Sequence, residues 1–96
     1  MSEPVKVKIL GHDYTVACPP EAKGGLLQSA DYVDRKMREI HAAGKVVGTD
    51  RIAVMAALNI AHELLEAQAE NQRMADVRQR IAALDARIAE AVEQDR

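Results

Sequence analysis

His62 and Glu63 stand side by side, the pair that opens the metal motif of a zinc-protease helix. That motif needs a second histidine four positions after the first, so that two imidazoles project from one helical face onto the ion. Glu66 occupies that position instead, so His62, Glu63 and Glu66 read as a solvated or hydrogen-bonded strip and no metal site is expected. Cys18 alternates with Val16 and Tyr14 on an apolar strand face, which makes it a packed thiol and not a nucleophile. Gly24-Gly25 lacks the Lys and Ser or Thr that complete a phosphate-binding loop after a strand. Catalytic, metal and cofactor-binding residues are therefore expected to be none. Asn59 is the remaining polar side chain of interest. Inside a helix seam it would fix register and oligomeric state, and a simple exposed position accounts for it equally well.

The element that carries Asn59 is the segment DRIAVMAALNIAHELL. From Ile52 to Leu65, eleven of fourteen residues are apolar. The exceptions fall with Glu66 inside an arc of roughly 100° on a wheel of 3.6 residues per turn. A helix facing one small core needs a single apolar stripe, so this one demands more cover than its own chain supplies. Self-association is the expectation, through Met55, Ala57, Leu58, Asn59, Ala61 and Leu65.

Composition agrees with that expectation. Ninety-six residues with two Tyr and neither Trp nor Phe leave a core of Leu, Ile, Val, Met and many Ala, thin for a monomer. A net charge of −2 argues against general nucleic-acid binding, which relies on a basic surface. One cysteine excludes an intrachain disulfide and fits a reducing compartment. No signal peptide or apolar run of membrane-spanning length is apparent, so a cytoplasmic protein without membrane contact is expected.

The head precedes that helix. VKVKILGHDYTVAC alternates with period two on both sides of Gly11 and predicts a hairpin. With Gly11 and His12 as the turn, Leu10 faces Asp13, and Ile9, Val7 and Val5 pair with Tyr14, Val16 and Cys18 on one apolar face. Lys6, Lys8 and Thr15 then point to water. Pro19, Pro20 and Glu21 end the second strand and open a helix whose stripe is Leu26, Ala30, Val33, Met37 and Ile40, with Gly44 as its stop. After the short loop KVVGT, Thr49 caps a second helix that no Pro or Gly interrupts. At 1.5 Å per residue this helix would be roughly 65 Å long.

Beyond Glu66 the pattern changes. EAQAENQR is polar, and Met74, Val77, Ile81, Leu84, Ile88 and Ala91 then follow a three-four spacing. A lone helix with so narrow a stripe would not hold, whereas a coiled coil uses it as a seam. Arg78, Arg80, Asp85 and Arg87 flank the seam without deciding between parallel and antiparallel strands. The fold class expected is α+β, a small ββα head over residues 1–66 and a coiled-coil extension of the same helix over residues 67–96, oligomeric.

The order V-x-I-x-G-x-x-Y-x-V-x-C-P from Val7 to Pro19, then DRKMREI, then G-x-D-R-I-A-V-M-A-A-L-N-I from Gly48 to Ile60, resembles the ZapA family of bacterial cell-division proteins. The resemblance covers Val5 to about Leu65, and the tail is similar in character only. It implies a dimer through the heads and a dimer of dimers through antiparallel long helices. It also implies FtsZ as partner, with filaments crosslinked at the mid-cell division ring. Carried over singly, the charged head positions attributed to FtsZ contact fall on His12, His41, Lys45, Asp50 and Arg51. Asp50, in the first turn of a helix, also has a purely structural role to fill, opposite the helix dipole. A rival class is a ribbon-type DNA-binding regulator or antitoxin, whose paired ribbons would present Lys6 and Lys8 to a major groove.

Overall fold

The computed structural model describes residues 1–94. Two antiparallel strands, β1 (Glu3–Ile9) and β2 (His12–Cys18), form a two-stranded sheet. A single 3-10 turn at Pro20–Ala22 leads into helix α1 (Lys23–Ala43), and helix α2 runs over Thr49–Gln94. The protein is α+β, a hairpin and helix followed by a long helix, as its patterning predicts. It divides into two compact units, Met1–Ile60 and the segment from Ala61 onward. Among the described residues, no helix is long and apolar enough to cross a membrane.

The hairpin register differs from the expected one. Ile9 pairs with His12, Val7 with Tyr14, Val5 with Val16 and Glu3 with Cys18, a slip of two residues. The turn consists of Leu10 and Gly11, with φ of 50° and 80°, the positive values that a type I′ turn requires at both central positions. Glycine meets that requirement freely. Leucine does so at a cost of about 1–2 kcal/mol, which is why the sequence favours Gly11-His12 instead. The cost is offset from outside the hairpin, because the Leu10 N–H donates to Asp34 Oδ1 on α1 at 2.7 Å. A slip of two preserves the face each side chain takes, so the apolar face survives the change of partners.

That face is only half covered. Helix α1 packs along β1, and Val5, Val7, Cys18 and Ala30 form one buried cluster with Ile9 and Leu26 against it. Tyr14 and Val16 on β2 remain 46% and 38% exposed. A second cluster joins Met37 to Ile52 and Ala56, with Ile9, Leu10, Val33, Ile40 and Val46 packed around it. Every residue of the predicted α1 stripe lies in one of these clusters. Gly44, in the left-handed conformation at φ 71°, ends α1 by donating its N–H to the His41 carbonyl. The start of α2 corrects one expectation. The Gly48 carbonyl accepts the Ile52 N–H, so Gly48 holds the capping position and Thr49 is the first helical residue.

Among the described residues, the unit from Ala61 onward is helix alone. Its stripe of Met74, Val77, Ile81, Leu84, Ile88 and Val92 is exposed throughout. Arg73 pairs with Glu70, and Gln72 donates to Asp76, along its polar sides.

Ile52 is 2% exposed and touches both helices and the hairpin tip through its cluster. Ile52→Ala should therefore cost about 3 kcal/mol. Chemical denaturation at one fixed protein concentration measures this, since association links stability to concentration.

Candidate functional site

The loop between α1 and α2 builds a groove. Gly44 stops α1, Val46 turns inward onto the cluster of Met37, Ile52 and Ala56, and Val47 is left 82% exposed. Gly48, at φ 100°, then swings the chain into α2. Arg51, Val54 and Met55 share one face of the new helix at three- and four-residue spacing, away from the buried Ile52 and Ala56. Lys45, Val46, Val47, Asp50, Arg51, Val54 and Met55 line an open groove of about 560 Å³. The lining mixes apolar side chains with two cations, Lys45 and Arg51, and one carboxylate, Asp50. No ion pair within the described residues engages these three. The Asp50 carboxylate folds back toward Gly48, where an added Cβ would meet Oδ1 at 2.9 Å.

Three of the five charged positions expected to contact a partner, Lys45, Asp50 and Arg51, thus line one groove. The other two do not. His12 is exposed at the first position of β2, beside the Leu10-Gly11 turn, and His41 is exposed in the last turn of α1. A second groove is lined by Val7, Ile9, Tyr14 and Val16 of the sheet, Val33 and Met37 of α1, and Thr49, Asp50 and Ala53 of α2. Asp50 borders both. The apolar lining residues Val46, Val47 and Val54 were not among the sequence candidates. Two valines in a five-residue loop, where polar residues are usual, were the available signal.

The residues assigned to self-association are uncovered within one chain. Met55, Leu58 and Leu65 are exposed beside Ala57, Asn59 and Ala61, and Met74, Val77, Ile81, Leu84 and Ile88 continue along α2. Val54, Leu58, Ala61 and Leu65 follow one another at four, three and four, so Val54 joins that row. Asn59 is exposed as well. His62 pairs with Glu66 at 2.9 Å across one helical turn, where the metal motif would have its second histidine. Among the described residues, no three His, Cys, Asp or Glu side chains gather as a metal set. Cys18 is buried, and its thiol donates to the Pro19 carbonyl at 3.2 Å.

A ββα head continued by a helix with long uncovered apolar rows defines a class of small α+β proteins whose surface suits association. The family model described as cell division protein ZapA matches residues 5–88. A cell division protein ZapA from Pseudomonas aeruginosa is 42% identical over 92 residues, covering 95% of this chain and 88% of that protein. Another from Cronobacter sakazakii is 33% identical over 92 residues, covering 95% and 84%. A solved structure of a conserved bacterial protein from Pseudomonas aeruginosa superposes with a TM-score of 0.74 at 42% identity, covering 93% of this chain and 99% of that one. A ZapA mutant dimer from Geobacillus stearothermophilus superposes with a TM-score of 0.60 at 31% identity, covering 79% and 87%. The chain belongs to the ZapA family of cell division proteins.

Gly48 is where the groove is most sensitive to backbone strain. Gly48→Ala should lower stability by about 1–2 kcal/mol. Adding Asp50→Ala should recover only part of that loss, because it removes the contact and leaves the backbone strain. Thermal denaturation of the single and double variants distinguishes the two contributions.

Proposed function

We propose that this chain is a non-enzymatic accessory of cell division that binds FtsZ in the cytoplasm at mid-cell and crosslinks its filaments. The observation that carries the reading is the groove of Lys45, Val47, Asp50, Arg51 and Val54, where apolar and charged side chains share one open surface on a member of this family. His12 and His41 extend the contact beyond the groove. Self-association supplies the second requirement, since a crosslinker needs at least two binding surfaces joined by a stiff element. The dimeric ZapA structure from Geobacillus stearothermophilus supports pairing, and the apolar rows that continue uncovered along α2 support a further association into a dimer of dimers. Residues 1–66 serve as the head that touches the filament. Residues 67–96 serve as the coil that joins heads, with Met74, Val77, Ile81, Leu84 and Ile88 in its seam; Asp95 and Arg96 lie outside the described residues.

The DNA-binding alternative draws little from the geometry. Lys6 and Lys8 share the outer face of the ribbon with Thr15 and Asp13, and Asp13 stands directly opposite Lys8. So small a cationic excess neutralises few phosphates.

Co-sedimentation with polymerised FtsZ tests the reading directly. Lys45→Glu with Arg51→Glu should weaken binding about tenfold or more, because both cations are inverted at one contact. The mass of the assembly in light scattering should stay unchanged. Ile81→Lys with Leu84→Lys should act differently, since uncompensated seam charges cost several kcal/mol, on the order of 2–7. That variant should remain a dimer and still bind FtsZ, yet fail to bundle filaments in electron micrographs. Bundling undiminished in a confirmed dimer would remove the coil from the crosslinking role.

A further inference from the structure

Among the described residues, Leu10 is the one non-glycine residue with positive φ. It sits at the hairpin tip immediately before Gly11 and His12. In a type I′ turn the N–H of the first central residue has no partner within the hairpin, so it must find one elsewhere. Asp34 provides it, from 24 residues away, with Oδ1 accepting at 2.7 Å. The other carboxylate oxygen, Oδ2, is held by Arg38 Nε at 3.0 Å. Asp34 itself is largely buried, with its side chain 17% exposed, while Arg38 is mostly in solvent. One carboxylate therefore locks a strained turn to α1.

The consequences of that lock reach two places. His12 is the first residue after the turn, so its direction depends on the conformation of Leu10 and Gly11. The Leu10 side chain packs onto the cluster of Met37, Ile52 and Ala56, and Val46 packs onto the same cluster. Val46 also lines the groove, next to Lys45 and Val47. A hairpin tip that relaxed out of positive φ would move Leu10 off this cluster and loosen the seat of Val46.

We propose that Asp34 is a positioning residue of the partner-binding surface, acting through the Leu10 N–H to hold His12 and the Val46 side of the groove in place. The inference rests on the FtsZ-binding reading for its functional consequence and on the Asp34 to Leu10 hydrogen bond for its physical one. Arg38 has a secondary part, since an exposed ion pair contributes little by itself.

Asp34→Ala, Asp34→Asn and Arg38→Ala, each made in the full chain, provide the test. Losing a charged acceptor for this part-buried N–H corresponds to about a tenfold effect on whatever depends on that geometry. Asp34→Ala should therefore bind FtsZ filaments about tenfold more weakly, at a temperature where circular dichroism shows full helix content and light scattering shows parental mass. Asp34→Asn retains a carbonyl acceptor in the same place and should keep binding within about twofold of the parent. Arg38→Ala should be indistinguishable from the parent. Amide hydrogen exchange gives a readout independent of FtsZ. In Asp34→Ala, exchange should accelerate at Leu10, His12, Val46 and Val47, while Val5 and Val7 keep their protection. A folded Asp34→Ala protein with parental affinity, or with unchanged exchange at Leu10 and Val46, overturns the inference. Equal loss of binding in Asp34→Asn and Asp34→Ala also overturns it, because the acceptor would then not be what matters. A parent that fails to sediment with FtsZ defeats the functional reading instead, and the exchange pattern then decides the positioning role alone.

Discussion

The head depends on one hydrogen bond that crosses from helix to hairpin. A two-stranded ribbon is marginal alone, and this one has a turn residue in a conformation that leucine resists. Asp34 answers both problems at once. It satisfies the orphan N–H at the tip and anchors the ribbon to α1 at the end farthest from the Pro19-Pro20 connection. With both ends of the ribbon fixed, Val5 and Val7 lie against Ala30 and Leu26, and Leu10 reaches the cluster that also seats the start of α2. Register, core and groove follow from the same anchoring.

The second constraint is a surplus of apolar surface. The buried core of the described residues is small: Val5, Val7, Cys18, Ala30, Met37, Ile52 and Ala56. Against it stand Tyr14, Val16, Leu27, Val54, Leu58, Leu64, Leu65 and the α2 stripe, all left in contact with solvent. Burial of apolar area is the main favourable contribution to folding, so a chain that leaves this much outside has its remaining stabilisation available to a second copy.

Much of this was legible in the sequence because it depends on local rules. Period-two alternation marked both strands, the four-three spacing from Leu26 to Ile40 marked the face of α1, and Gly44 marked its end. The lack of any breaker after Asp50 marked the length of α2. What local rules missed depends on tertiary partners. The register turned on Asp34, an acidic residue on a helix whose sequence context says nothing about a turn two dozen positions earlier. The cap at Gly48 in place of Thr49 turned on a backbone angle, and side-chain preference alone pointed to the threonine. The candidate site was half legible. Lys45, Asp50 and Arg51 line one groove, but the valines that line it with them emerge only when the loop is folded.

Ile9 packs against both clusters of the head, the one under β1 and the one around Ile52. The second of these clusters includes Ile52 and Ala56 of α2, far along the chain from Ile9, so the head closes through long-range contacts as well as through the short hairpin turn. The helix from Ala61 onward has no comparable nucleus of its own. The long helix therefore depends for its order on a surface outside itself, whereas the two clusters of the head brace one another through Ile9.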